Sequence, residues 1–380
     1  MTGEHDTHIE GTSMTSTRDR IYGALIGAAI GDALGAPVEK WDYRDIAATH
    51  GKMDRFLPSP AANTGTQYLA ADPAPSTPGQ FTDDSTARYY LCLSIIESGG
   101  RVSPFELART WLERMNPDRL FYTERIVLMK LKMGLNPWET GLGLPAADNP
   151  LMAIAPVGIV NAADPRQAYQ DGFAISSMMG AGSDRDAAAT LAAGVAAAFS
   201  PGATVETVVD AMLANATPLV RRSLDRALAE AERAAGDPGA FTAAFHTELL
   251  DWTYPVPPGE VWTPRTFSAA SIESLPAAVG LFAVTGGDPL RGVVEGASFG
   301  RDCDTIAAAV GSLAGVLAGA SAFPCDMVET VESANAAFYA EAGGDAGRTF
   351  AALSEELVAA LGNERESVRA RLGELDRMLS

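Results

Sequence analysis

Glycine recurs at every fourth residue of one apolar segment near the start of the chain, and this spacing constrains the fold more than any other feature. The segment Asp19–Leu34 carries apolar side chains at helical spacing and therefore predicts a buried helix. Because glycine has no side chain, the stripe lets another helix approach this one closely. The four glycines are Gly23, Gly27, Gly31 and Gly35.

Most of the remaining chain also has the composition of helices. Alanine-rich segments dominate, and alanine has the highest intrinsic helix propensity. No run alternates apolar and polar residues for long enough to indicate a sheet, and no fixed-period repeat is present. The predicted fold class is therefore all-α, with further helices over Thr86–Ser98, Pro104–Met115, Thr123–Met133, Ala187–Phe199, Val205–Ala214, Val220–Ala235, Ile272–Val284, Asp288–Phe299, Thr305–Ala320 and Ser354–Leu379.

The domain organisation follows from the uniform composition. No strong shift divides the 380 residues, so residues 18–380 are expected to form one domain behind a disordered leader, residues 1–17. That leader lacks the basic and apolar regions of a signal peptide. Two stretches rich in proline, Pro58–Gly79 and Asp251–Phe267, are predicted to be long loops, the second of them ordered at the surface.

The charge and the cysteine content limit the partners and the compartment. Lys and Arg total 28 against 48 Asp and Glu, a net charge of −20, so we expect neither nucleic acid nor an anionic membrane as a partner. Three cysteines form no disulfide framework and favour a reducing, cytoplasmic location. The uncharged run Ile306–Phe323 has the length of a membrane span, but its small residues are more typical of a helix buried in a bundle.

Two short segments combine acidic and hydroxyl side chains where a loop becomes a helix. They read QFTDDST (residues 80–86) and GRDCDT (residues 300–305). Helix capping explains one or two of these oxygens, but neighbouring carboxylates repel unless a cation or protons neutralise them. Hard divalent cations prefer oxygen ligands, so four aspartates and two threonines would suit two Mg²⁺ or Mn²⁺ ions. The pattern alone leaves both capping and metal binding open.

A third acidic feature lies at the end of the glycine-rich helix. Asp32 is predicted to be a buried side chain that neighbouring helix ends satisfy. Glu39 follows Pro37 on a loop, where its carboxylate points either into a cleft or into solvent.

Three motifs, in this order, resemble the ADP-ribosylglycohydrolase family, which includes the bacterial enzyme that reactivates dinitrogenase reductase. They are GALIGAAIGDALGAPVE (residues 23–39), GQFTDDST (residues 79–86) and GRDCDTIAAAVGSLAGVLAGA (residues 300–320). The text ESLPAA (residues 273–278) also resembles the helix that precedes the last motif. The resemblance spans Arg18 to Ala320.

This resemblance implies a large orthogonal bundle of helices around a central cleft that holds two Mg²⁺ or Mn²⁺ ions. It further implies that metal-activated water cleaves the N- or O-glycosidic bond at the anomeric ribose carbon of ADP-ribosyl conjugates, either small molecules or protein-linked. Glu39 matches the acid beside the metals and is the first catalytic candidate, as a general base. The implied metal ligands are Thr82, Asp83, Asp84, Asp302, Asp304 and Thr305.

The chain departs from the family in the loop expected to bind phosphate. Relatives often read Gly-Asn-Gly-Ser-x-Met-Arg there, whereas this chain reads DNPLMAI over residues 148–154. Asn149 and Met152 remain in register and are substrate-binding candidates. Pro150 removes an amide donor and Ala153 removes a cation, so the groups on the pyrophosphate side are altered.

Other candidates rest on weaker matches. Arg301 replaces the second glycine of the usual Gly-Gly-Asp-x-Asp and is a third substrate-binding candidate, while Asp118 matches an acid near the scissile bond and is a second catalytic candidate. Residues 122–125 are further cleft candidates. Cys303 is expected to pack in the core and not to act as a nucleophile, and its two flanking aspartates should raise the pKa of its thiol.

Two alternatives to an ADP-ribosyl hydrolase stay open. The altered phosphate-side loop favours a hydrolase of a smaller riboside or nucleotide in a biosynthetic or salvage pathway. A protein that keeps the fold and the metals without turnover would be a non-catalytic binder.

Overall fold

The computed structural model describes residues 15–59, 76–250, 270–344 and 347–380. These ranges contain eighteen α-helices and no strand, which confirms the predicted all-α class. The helices are α1 (Thr17–Gly35), α2 (Tyr43–His50), α3 (Asp83–Ser98), α4 (Pro104–Arg114), α5 (Tyr122–Lys132), α6 (Asn149–Ala153), α7 (Ala155–Val160), α8 (Pro165–Ser176), α9 (Ser183–Ala198), α10 (Val205–Asn215), α11 (Pro218–Ala234), α12 (Pro238–Glu248), α13 (Ser271–Val284), α14 (Pro289–Ala297), α15 (Cys303–Ala318), α16 (Cys325–Ala334), α17 (Ala336–Ala342) and α18 (Phe350–Leu379).

Helices α1 and α15 form the centre of the fold and run antiparallel along the glycine stripe. A Cβ atom added at Gly27 would lie 2.6 Å from the carbonyl oxygen of Gly311, and one added at Gly35 would lie 2.5 Å from the Cα atom of Asp304. The close helix partner that the stripe predicts is therefore α15. Its approach brings the last turn of α1 against the first turn of α15.

The other helices surround this pair. The alanine-rich α9 packs against α7, α8, α10 and α13, and α13 also packs against α11 and α15. Helix α14 lies on both α1 and α15, while α18 lies across α1 and α3. Small side chains on α9 and α15 let these layers approach closely, and larger Leu, Ile, Val and aromatic side chains fill the rest of the core.

The predicted helices are present, with ends that local capping shifts by a few residues. The helix predicted from Thr86 begins at Asp83, because the Thr82 hydroxyl accepts a hydrogen bond from the backbone of the first turn. The helix predicted to end at Ala320 ends two residues earlier, where Gly319 adopts a φ of 85°. Prediction missed seven helices, each of 12 residues or fewer, namely α2, α6, α7, α8, α12, α16 and α17.

Part of the predicted organisation lies outside the described residues. This applies to residues 1–14 of the expected leader, to residues 60–75 of the first predicted loop and to the whole of the second. Within the described ranges, one helical stretch, Thr17–Val38, is long and apolar enough to cross a membrane by length and composition, and 89% of that apolar window is buried inside the protein. The core position of this helix accounts for its apolar character.

Candidate metal centre and active site

Asp32, in the last turns of α1, determines where α3 begins. Its carboxylate is fully buried and accepts hydrogen bonds from the N–H groups of Thr82 and Ser85, both at 3.0 Å, and from the Ser85 hydroxyl at 2.6 Å. The prediction that neighbouring helix ends satisfy Asp32 is therefore confirmed. This cap places Asp83 and Asp84 in the first turn of α3, beside the end of α1.

The first turn of α15 lies against the first turn of α3. Thr305 Oγ1 donates a hydrogen bond to Asp84 Oδ2 at 2.9 Å, although the two residues are 221 positions apart in the sequence. Asp302 precedes α15 with φ −88° and ψ 59°, the non-helical lead-in that the spacing of Asp302 and Asp304 requires if both are to face one centre. The structure thus brings the two acidic segments together.

A short antiparallel pairing brings Glu39 to the same place. The N–H of Lys40 donates to the carbonyl of Arg301 at 2.7 Å, and the N–H of Arg301 donates to the carbonyl of Trp41 at 2.8 Å. Lys40 and Arg301 both adopt positive φ angles, 74° and 60°, which is a strained conformation for residues with side chains. The surrounding contacts hold this strain and keep the Glu39 loop beside the lead-in of α15.

Three carboxylates form the centre of the site. Glu39, Asp302 and Asp304 offer oxygen atoms that all lie within 4.8 Å of one another. In the part of the chain that the structure describes, Asp302 Oδ2 and Asp304 Oδ1 are buried and accept no hydrogen bond. Buried carboxylate oxygens without a donor are costly, and a hard divalent cation such as Mg²⁺ or Mn²⁺ would satisfy them. The donor set therefore fits a divalent cation.

Electrostatics supports this fit. Burial is the largest cause that raises the pKa of every carboxyl group in the cluster, and repulsion between neighbouring carboxylates raises it further. The Lys40 ammonium, 3.3 Å from Glu39, opposes the rise for that residue alone. A bound cation would favour the charged carboxylates over the protonated forms. The groups concerned are Glu39, Asp83, Asp84, Asp302 and Asp304.

Glu124, at the start of α5, is the acidic member of the predicted group of residues 122–125. It is fully buried, and its Oε2 atom accepts the N–H of Phe121 at 3.1 Å. Burial raises the pKa of Glu124 to about 8, and repulsion from Glu124 contributes to the raised pKa of Asp83. Glu124 therefore lies beside the acidic cluster on the α3 side, whereas Tyr122 is 45% exposed.

Sequence reasoning missed a further acid, Asp148. It is buried, its Oδ2 atom accepts a hydrogen bond from Ser274 Oγ at 2.9 Å, and burial raises its pKa to about 8. Repulsion from Asp148 and a side-chain hydrogen bond between the two carboxyl groups also help to raise the pKa of Asp302, so the two acids are neighbours. The available signal was an acid directly before a helix, as in the two acidic segments, but no motif marked it.

Two substrate-binding candidates are occupied by contacts within the protein. Asn149 is buried and donates from Nδ2 to Thr123 Oγ1 at 2.7 Å. Met152 is also buried, and its carbonyl oxygen accepts a hydrogen bond from the guanidinium of Arg88 at 2.6 Å. Both residues hold neighbouring helices in place through these contacts from α6.

The remaining candidates lie in contrasting environments. The Arg301 guanidinium forms a buried ion pair with Glu273, a residue whose part in the site the sequence did not reveal. Asp118 lies in a short 3₁₀ turn with a side chain 70% exposed, and its nearest ionic partner is Arg125 at 4.0 Å. The structure therefore does not bring Asp118 into the buried acidic cluster. Cys303 is fully buried, and burial and then Asp304 raise the pKa of its thiol, as predicted.

The protein is all-α, and acidic side chains from three separated helix ends gather in one buried cluster. This cluster is a candidate centre for divalent cations. The chain belongs to the ADP-ribosylglycohydrolase family, whose profile matches residues 13–367. This family is one of glycohydrolases and is typically metal-dependent.

Individual relatives are distant. The uncharacterized protein YegU of Escherichia coli K12 is 25% identical over 328 residues, which are 83% of this chain and 93% of YegU. An uncharacterized protein of Archaeoglobus fulgidus is 26% identical over 145 residues, 37% of this chain and 43% of its own length. A solved structure described as an ADP-ribosylglycohydrolase-related protein complex has a TM-score of 0.58 and 22% identity, covers 90% of this chain and 97% of its own, and shares the fold.

Proposed function

We propose that this protein is a metal-dependent hydrolase that cleaves the glycosidic bond at the anomeric ribose carbon of an ADP-ribosyl conjugate. The observation that carries the proposal is the cluster of Glu39, Asp302 and Asp304, with carboxylate oxygens within 4.8 Å of one another. Two of these oxygens, on Asp302 and Asp304, are buried without a hydrogen-bond donor among the described residues. Membership of a glycohydrolase family supports the class of reaction.

The acidic segments of α3 and α15 would hold two Mg²⁺ or Mn²⁺ ions. When bound, such ions orient the ribose hydroxyls and lower the pKa of a water molecule. The proposed ligands are carboxylates and hydroxyls, the oxygen donors that both ions prefer. They are Thr82, Asp83, Asp84, Asp302, Asp304 and Thr305.

Glu39 is the proposed general base. Its side chain is 14% exposed, so solvent reaches it, while the side chains of Asp302 and Asp304 are buried. A carboxylate in this position takes the proton from the attacking water as the glycosidic bond breaks. The acidic walls of the cleft also stabilise the positive charge that develops on the ribose in an oxocarbenium-like transition state. Cys303 is unsuited as a nucleophile, because burial disfavours its thiolate.

The test is a hydrolysis screen with and without Mg²⁺ or Mn²⁺. The substrates are ADP-ribosyl-arginine, ADP-ribosyl-serine, O-acetyl-ADP-ribose and simple nucleosides. We expect cation-dependent turnover of at least one conjugate, and a loss of at least about 100-fold in kcat for Glu39→Gln. Asp118→Asn is the matched control, because its carboxylate is exposed and outside the cluster. Equal activity of Glu39→Gln and the parent would exclude Glu39 as the base.

A smaller riboside or nucleotide is the second candidate substrate. The observation that favours it is the α6 segment, in which Pro150 offers no amide donor and the Asn149 amide already bonds Thr123. This segment also carries no cation over residues 148–154, so it offers little to a pyrophosphate. Turnover of ADP-ribosyl-arginine but not of nucleosides would eliminate this candidate. Cation binding without turnover of any substrate would instead favour a non-catalytic binder.

A further inference from the structure

The second half of α18 presents an apolar stripe to solvent. Burial of this helix against the rest of the protein ends at Ala360, and beyond Leu361 its large apolar side chains are exposed. Exposed leucines on a continuous helix cost free energy unless another surface covers them. The exposed fractions are 57% for Val368, 55% for Leu372, 42% for Leu375 and 86% for Leu379.

The spacing of this stripe is that of a coiled coil. Intervals of four and three residues alternate from Leu361 to the end of the helix, so the stripe repeats every seven residues. A repeat of seven residues is the signature of a left-handed coiled coil, in which these side chains fill the a and d positions. One arginine interrupts an otherwise apolar seam. The seam residues are Leu361, Arg365, Val368, Leu372, Leu375 and Leu379.

The charges beside the seam match a second copy of the same helix. In a parallel, in-register pair, each g residue faces the partner's e residue five positions later. Glu364 then faces the partner's Arg369, and Arg371 faces the partner's Asp376, so both contacts join opposite charges. The parallel pair places one arginine of the seam, Arg365, opposite its own copy, whereas an antiparallel pair centred on the same stripe would place both Arg369 and Arg371 against their own copies, which is less favourable.

The surface beside the stripe has room for a helix. A groove of about 820 Å³ separates Leu361 and Val368 from Val160 at the end of α7 and Ala162 in the connection to α8. Its lining combines these apolar side chains with arginines of α18. We propose that α18 pairs with α18 of a second copy of this chain in a parallel coiled coil that begins in this groove.

The test is the oligomeric state of the full chain, measured by sedimentation equilibrium. The parent is expected to be a dimer at micromolar concentration, and Leu372→Glu should raise the dimer dissociation constant by at least about 100-fold. Ala370→Glu is the matched control, because it adds the same carboxylate to an exposed position of α18 outside the seam. Circular dichroism of both variants verifies that the fold is retained.

A charge exchange tests the orientation. Arg371→Asp and Asp376→Arg should each weaken the dimer, and the double variant should restore it because the facing charges are again opposite. Ser380→Cys should form a disulfide-linked dimer under oxidation, measured against the parent, whose Cys325 is exposed. A monomeric parent, a dimer indifferent to Leu372→Glu, or failure of the double variant to restore the dimer would each overturn the proposal.

Discussion

Replacing Gly35 by alanine tests whether the contact between α1 and α15 positions the acidic centre. Gly35 has a helical φ of −75°, so alanine meets no backbone strain there. However, the added Cβ atom would lie 2.5 Å from both the Cα and the N atoms of Asp304, and 2.7 Å from the carbonyl carbon of Cys303. Because these are backbone atoms, the ends of the two helices must move apart to relieve the contact.

The magnitude follows from the geometry. Non-bonded carbon atoms rest about 3.5 Å apart, so the helix ends must separate by about 1 Å. Overpacking of this kind costs about 1–3 kcal/mol, and three contacts with backbone place Gly35→Ala at the upper end. The higher helix propensity of alanine returns up to about 1 kcal/mol. We expect a net loss of about 2 kcal/mol in the free energy of unfolding, which for 380 residues lowers Tm by about 2–3 °C.

The assay combines unfolding with a cation response. Thermal and urea unfolding of Gly35→Ala are compared with those of the parent and of Gly373→Ala, in which the added Cβ has no neighbour within 4 Å. The control substitution should be neutral or stabilise by up to about 1 kcal/mol. Because Gly35→Ala displaces the backbone of Asp304, the rise in Tm on adding Mg²⁺ or Mn²⁺ should also shrink in that variant. If Gly35→Ala has the same Tm and the same free energy of unfolding as the parent, and its Tm rises as much on adding cation, the contact between Gly35 and Asp304 does not position the site.

Three further predictions follow from single interactions. Mg²⁺ or Mn²⁺ at 100 times Kd should stabilise the chelator-treated parent by about 2.7 kcal/mol and so raise its Tm. Asp302→Asn should abolish this rise in Tm, and an equal rise in the variant would count against the site. Asp32→Asn should cost at least about 2 kcal/mol in urea unfolding, because it removes the charge that strengthens three hydrogen bonds and turns an amide hydrogen toward the N–H of either Thr82 or Ser85. Ser85→Ala should cost about 1 kcal/mol, because it removes one of the three donors. Burial lowers the pKa of His246 to about 4 from 6.5, so its stabilising contribution is complete above pH 6.5 and is lost as the pH falls toward 4. Between pH 6.5 and pH 4 the parent should lose about 3 kcal/mol of stability relative to His246→Gln. The measurement is the Tm of both proteins across that range, and Tm profiles that stay parallel would contradict the prediction.

Much of the fold and the ligand chemistry could be predicted from the sequence. Alanine-rich segments predict helices because helix propensity is a local property, and the glycine stripe correctly predicts a close helix neighbour. The motif around Thr82 and the motif around Asp302 predict oxygen donors at helix starts, because adjacent acids repel without a cation. The helices that prediction missed have at most 12 residues, so each offers only a few turns from which a helical pattern can be recognised. Helix α2, for example, has one buried residue, Ile46.

The identity of the helix facing the glycine stripe is a tertiary property. Many alanine-rich segments could meet such a stripe, and only packing of the whole core selects α15. That selection carries Asp304 to the end of α1, so one contact brings together acids that are hundreds of residues apart in the sequence.

Membership of the site was likewise decided by packing. Asp148 and Glu124 have ordinary sequence surroundings, yet burial raises the pKa of each to about 8 beside the acidic segments. Asp118 was an equally plausible acid and lies exposed on a turn. The sequence by itself determined the helices and the kind of ligand atoms, because both depend on neighbours along the chain. Only the tertiary structure decided which acids share one buried cluster, because burial and repulsion depend on neighbours in space.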